Sequence, residues 1–139
     1  MIKPLPLILL FLLVIVPIFD VLAQSSRFVK TVEACENKHE EPKELSMCFD
    51  RVKESVDREL QTWINNQTFI LEEFSLKTGR KQPLDMFKRS QNNFITFREN
   101  NCRWQYLHLS PDISAAPAYK KCYINTTQHR IDELSQINN

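Results

Sequence analysis

The chain has 139 residues, of which 18 are basic, 17 acidic, 42% hydrophobic, four cysteine and one glycine, and its formal charge is +1. A balance this even gives no electrostatic case for a nucleic-acid partner, whose binding rests on clustered Lys and Arg. One glycine also leaves too little turn material for hairpins or a sandwich, so the composition predicts an all-α protein.

Lys3 precedes an apolar run from Leu5 to Phe19, and Val21-Leu22-Ala23 puts small residues at the two positions a signal peptidase reads. Residues 1–23 are therefore expected to be a cleaved secretory signal. As an uncleaved anchor, residues 4–23 would only just cross a hydrocarbon layer of about 30 Å, and Pro4, Pro6, Pro17 and Asp20 interrupt them. No cysteine sits immediately after the cleavage point, where Gln24 stands, so no lipid attachment and no membrane insertion after cleavage are expected. The cut removes one basic residue, Lys3, and one acidic residue, Asp20, and the charge stays at +1. The remaining chain, residues 24–139, is long enough for one domain that buries about 65% of its unfolded surface.

All four cysteines, Cys35, Cys48, Cys102 and Cys122, lie after the leader, where an oxidising compartment favours disulfides. No Cys-x-x-Cys is present, which argues against a redox motif or a zinc knuckle. Three pairings are possible. Local pairing, Cys35 with Cys48 and Cys102 with Cys122, is preferred because each bond closes a short loop, for which the chain-entropy model gives about 3 kcal/mol.

The first predicted helix begins after Ser25 or Ser26, carries Phe28, Val29, Val32 and Cys35 at helical spacing, and ends before Pro42. The second runs from Pro42 or Lys43 to Lys77, with Leu45, Phe49, Val52, Val56, Leu60, Trp63, Leu71 and Phe74 on one broad face. Asn65-Asn66-Gln67-Thr68 weakens its middle, which leaves room for a kink or break. Gly79 suits the left-handed position past a helix end.

Pro83 opens a third helix to about Tyr106, with Leu84, Phe87, Phe94, Phe97 and Cys102 on its apolar row. The short connection makes helices two and three antiparallel neighbours. Ser110-Pro111-Asp112 and Ala116-Pro117 predict a non-helical crossing. A fourth helix from about Tyr119 to Gln136 presents Tyr123, Thr127, Ile131 and Leu134. The expected whole is a small disulfide-stapled helical bundle with a long central antiparallel helix pair.

The stretch Gln91-x-x-Phe94-x-x-Phe97-Arg98-Glu99-x-x-Cys102 sets Gln91 and Arg98 on the same helix row as Phe87 and Phe94. A guanidinium on a core-facing row needs a carboxylate, because an unpaired buried charge costs several kcal/mol. Folding back at Gly79 brings Arg98 opposite Thr62, with Asp57 and Glu59 in reach, so a polar clamp of Arg98, Asp57 and Gln91 is expected. Arg98 lining a ligand cleft is the competing reading; a clamp is the commoner use of such a group.

This stretch resembles the LprI-type lysozyme-inhibitor family of small exported bacterial proteins. The resemblance extends to Asp57-x-x-Leu60-Gln61 after Cys48 and to Cys122-x-x-x-x-Thr127-x-x-Arg130-Ile131-x-Glu133-Leu134, and so runs from Cys35 to Leu134. Phe94 stands where the family has Trp, Glu99 where it has Asp, and Ile64 where an aromatic is common. Leu109 to Ser114 replaces a Gly-rich patch. The resemblance implies a periplasmic or secreted protein that binds another protein, with lysozyme as the implied partner and steric blockage as the implied action. The alternative is an envelope interaction or stress-response protein with another periplasmic partner.

Nothing in the chain surrounds a serine with a strand-elbow-helix pattern, and no cysteine is expected to be a free nucleophile. His39, His108 and His129 lie in separate segments without metal-ligand spacing. Glu40-Glu41 and Glu72-Glu73 point about 100° apart on a helix and read as solvated faces rather than paired acids. No enzyme activity, cofactor or metal is therefore expected. Asn66-Gln67-Thr68 and Asn125-Thr126-Thr127 match a glycosylation acceptor that matters only in a eukaryotic secretory pathway. Trp63 is assigned to the core. Trp104, Tyr106 and Asp112 adjoin the irregular segment and are the candidates for partner contact. The oligomeric state is left open.

Overall fold

Proline and glycine punctuate the chain of the computed structural model, which describes residues 31–137. A short α1 (Thr31–Lys38) leads to α2 (Pro42–Thr78), whose first turn holds Pro42 where a missing N–H costs nothing. Gly79 ends α2 in the left-handed conformation at φ 73°, its N–H bonded to the Ser75 carbonyl at 2.8 Å. The chain then reverses into α3 (Gln82–Leu109) and, after a turn containing a cis Ser110–Pro111 bond, into α4 (Ala115–Gln136). The expected leader, residues 1–23, and the expected helix start near Ser25, with Phe28 and Val29, lie outside the described residues.

Three local expectations are corrected. First, α2 continues unbroken through Asn65 to Thr68. Gln61 donates to Asn65 one turn on at 2.8 Å, and Gln67 is buried against neighbouring elements, so packing outweighs the low propensity of the segment. Second, α3 runs on to Leu109, and α4 starts at Ala115 rather than Tyr119. Ala116-Pro117 is thus helical, since Pro117 falls in the first turn, where its absent N–H has no intrahelical acceptor to lose. Third, Phe97 is solvent-exposed, because the buried row of α3 is centred on Leu84, Gln91, Arg98 and Cys102.

Helices α2 and α3 form the long antiparallel pair. The register is marked by Glu72 with Lys88 near the turn and by Asp57 with Arg98 further down. Helix α4 returns parallel to α2 and antiparallel to α3, packed against both. Its contacts climb α2 from Ser46 and Asp50 at Lys120 to Asp57 at Tyr123. They descend α3 from Gln105 at Cys122 to Gln91 and Ser90 at Arg130.

The core is the seam of α2 and α4. Phe49, Val52, Val56 and Leu60 meet Ile124, Ile131 and Leu134, and Cys35 of α1 closes the bottom. Each large apolar side chain buried there contributes about 1.5–3 kcal/mol. Trp63, Leu45, Phe87 and Phe94 pack on the rim of this cluster, half-buried. The short α1 is held by the Cys35–Cys48 disulfide and by an ion pair between Glu36 and Lys121. Among the described residues, no helix is long and apolar enough to cross a membrane.

Candidate binding surface and the polar cluster beneath it

Arg98 is 6% exposed. Its Nη1 donates to Asp57 Oδ1 at 3.3 Å and to Thr127 Oγ1 at 2.9 Å, while the guanidinium lies 3.8 Å above the Tyr123 ring centroid. The Tyr123 hydroxyl in turn donates to Asp57 at 2.9 Å, so the charge and the ring carrying it share one carboxylate. Thr127, fully buried, donates its hydroxyl to the Tyr123 carbonyl at 2.7 Å and is thereby fixed as an acceptor for Arg98. Lys53 approaches Asp57 from the solvent side at 3.5 Å and covers the same ring. Burial, and then the bond to Asp57, raise the Tyr123 pKa well above the ordinary tyrosine value, which keeps the hydroxyl a neutral donor.

The expected clamp is divided by the fold. Arg98 and Asp57 meet, but Gln91 belongs to the next layer, where its Oε1 accepts from Arg130 Nε at 3.2 Å. Arg130 also bonds Ser90 at 3.1 Å and Glu133 at 2.6 Å. Phe94 separates the two layers, with the Arg98 and Arg130 guanidinium carbons 5.5 and 5.7 Å from its ring centroid. Glu59, the other carboxylate expected within reach, makes no ion pair with Arg98. Its Oε2 is buried without a hydrogen-bond partner. Desolvation and the neighbouring Asp132 raise its pKa, against a lowering bond from the Trp63 side chain. The α4 members Tyr123, Thr127 and Arg130 were missed as polar partners. The signal was a threonine on a buried row with an arginine three residues later.

The end of the bundle that holds α1 is also stapled by Cys102–Cys122, with Cys102 fully buried. The Gln105 and Asn101 amides point at Cys122 Sγ from 3.4 and 3.7 Å. Trp104 and Tyr106, grouped by sequence, stand about 200° apart around the helix. Tyr106 meets Tyr119 edge to face at 6.5 Å, and with Arg103 and Leu107 these two rings line an open groove of about 380 Å³. The Tyr119 hydroxyl donates to Glu99 at 2.8 Å, and burial ahead of that bond raises its pKa. Trp104 lies outside the groove, its indole N–H tied to Asn101 at 3.3 Å and its ring exposed.

Asp112 sits in the turn between α3 and α4, not in the groove. It accepts the Ser114 N–H at 2.7 Å, and the Ser114 side chain and backbone hold its carboxyl below the usual range. Among the described residues every cysteine is paired. A rigid end with a shallow aromatic groove can bind a partner by shape and apolar contact.

A family model described as lysozyme inhibitor LprI matches residues 35–134, from the first cysteine to the last buried leucine of α4. No curated protein and no solved structure matches the chain.

Proposed function

Because the chain belongs to the lysozyme inhibitor LprI family, we propose that it is an exported protein-binding module that blocks a lysozyme sterically, without chemistry of its own. The observation that carries this reading is the extent of the family match, which spans all four cysteines and the Arg98 cluster. Residues 1–23 are its signal peptide and residues 24–139 a single mature domain, located in the periplasm or outside the cell, where an oxidising environment suits two disulfides. The groove of Tyr106, Leu107 and Tyr119, with Asp112 in the adjoining turn, is the contact surface, and Cys102–Cys122 holds it rigid so that little entropy is lost on binding.

A lysozyme turnover assay with the oxidised mature protein tests this. Inhibition that Tyr106→Ala weakens supports it. The second reading is an envelope interaction module with another periplasmic partner. It is favoured by the charge of +1, which offers no long-range steering toward a cationic lysozyme. Absence of inhibition at micromolar concentrations decides for the second.

A further inference from the structure

Helix α3 carries large apolar side chains on two sides. Its buried row, Leu84, Gln91, Arg98 and Cys102, faces the bundle. A second row faces outward: Met86 is 59% exposed, Phe97 58%, Trp104 57% and Leu107 64%. These four residues belong to a strict seven-residue repeat. Met86, Asn93, Asn100 and Leu107 recur at one position, and Ser90, Phe97 and Trp104 at another four residues later. That is the a and d spacing by which one helix seats another. No charged residue interrupts the row, which extends along α3 for about 30 Å. The bundle itself requires none of it.

The border of the row indicates what covers it. Arg89 and Arg103 lie three residues after Met86 and Asn100, at the flanking position that selects a partner by charge. Neither makes an ion pair among the described residues, although Lys88, Arg98 and Arg130 of the same region all do. A second copy laid antiparallel across the centre of the row would set Arg89 beside Arg103 of the other copy, like against like. We infer that the outer face of α3 docks an amphipathic helix of a partner protein, with apolar residues at heptad spacing and acidic residues on the flank that meets Arg89 and Arg103.

This inference goes beyond the inhibitor reading and does not rest on it: the row shares Leu107 and its flanking Arg103 with the Tyr106 groove, whereas Met86, Phe97 and Trp104 lie outside that groove. The probe is a synthetic three-heptad helical peptide with leucine at positions a and d and glutamate at e and g. It is titrated into the full oxidised protein, followed by calorimetry and by tryptophan fluorescence. The matched peptide carries lysine in place of glutamate. The glutamate peptide is expected to bind saturably, at least tenfold tighter than the lysine peptide, and less tightly as salt rises. Phe97→Asp is expected to weaken it at least tenfold with an unchanged thermal melt, since Phe97 is not part of the core, and to leave a lysozyme assay unaffected. Arg89→Glu with Arg103→Glu should reverse the preference between the two peptides. Equal binding of both peptides, binding of neither, or a preference that survives the charge reversal overturns the inference. So does sedimentation showing a Phe97-dependent dimer of the chain, which would give the row to a second copy.

Discussion

Arg98 lies 3.8 Å above the ring of Tyr123, and both side chains bond the same oxygen of Asp57, Arg98 at 3.3 Å and Tyr123 at 2.9 Å. One carboxylate from α2 therefore fixes the charge of α3 and the ring of α4 at a point where all three long helices share a polar contact. The cluster is a registration device: sliding any one helix by a turn would strand a nearly buried guanidinium.

Replacing Arg98 should accordingly be costly even with another cation. Arg98→Lys cannot reach Asp57 and Thr127 together while covering the Tyr123 ring. Arg98→Ala is expected to cost about 3–5 kcal/mol, the penalty of breaking a buried pair, and Arg98→Lys more than half of that. Chemical denaturation of the oxidised protein reads both, and a loss below 1 kcal/mol for Arg98→Ala would contradict the role assigned here.

Tyr123→Phe keeps the stacked ring and deletes only the hydroxyl that Asp57 accepts. We expect a loss of about 1.5–3 kcal/mol, the usual size for a hydrogen bond to a charged group. Asp57→Asn leaves the nearly buried Arg98 without the carboxylate it pairs with, so it should cost about 3–5 kcal/mol, the penalty of an uncompensated buried charge. A cycle of Tyr123→Phe and Arg98→Ala should show strong coupling, because both act on one acceptor.

Glu59 gives a pH-dependent prediction. Its folded pKa is raised above the ordinary 4.5 by desolvation and by Asp132. The unfolded chain therefore releases this proton more readily. The stabilising contribution of protonated Glu59 is complete below 4.5 and is lost as the pH rises through the higher folded value. Glu59→Gln is thus expected to stabilise the protein at pH 7 by about 1 kcal/mol, since it removes a charge from a buried oxygen without a partner. The advantage should vanish in acid. Denaturation of both forms across the acid range checks the sign.

The two disulfides close loops of 13 and 20 residues, for which the chain-entropy model gives about 3 kcal/mol each. Their removal should differ in kind. Cys35→Ala with Cys48→Ala frees the eight residues of α1, whose length cannot sustain a helix alone, and should lower the helical circular-dichroism signal modestly while α2 to α4 persist. Cys102→Ala with Cys122→Ala unties α3 from α4 and should loosen the Tyr106 groove, a change that hydrogen exchange at the α3 end would detect.

Much of this architecture is legible in the residues. Pro42 and Pro83 at helix starts, Gly79 between two periodic stretches, and the buried row Tyr123, Thr127, Ile131, Leu134 all follow from local stereochemistry and period. The position of Arg98 on a core-facing row likewise demands a carboxylate before any fold is known. What the sequence hides is three-dimensional. Which helix supplies the second and third ligands of Arg98 depends on α4 lying against both arms of the hairpin, and no local pattern specifies that. Pro117 misled because a proline after an alanine reads as a breaker unless the preceding turn is known to begin the helix. Trp104 and Tyr106, two residues apart in sequence, read as one patch, although helical rotation sends them to different sides. Phe97 was counted with the core because its spacing from Phe94 fits as well as that of Arg98, and only the buried guanidinium decides between the two rows.

Helix α4 supplies half of the central seam and follows α2 and α3 in the chain. During synthesis the hairpin of α2 and α3 emerges with its apolar faces open and with Arg98 without the Tyr123 ring or the Thr127 hydroxyl it will rest on. Cooperative collapse must therefore wait until α4 has been made. A ribosome that stops before residue 123 would release two long rods that cannot close on each other, a ready substrate for quality-control proteases.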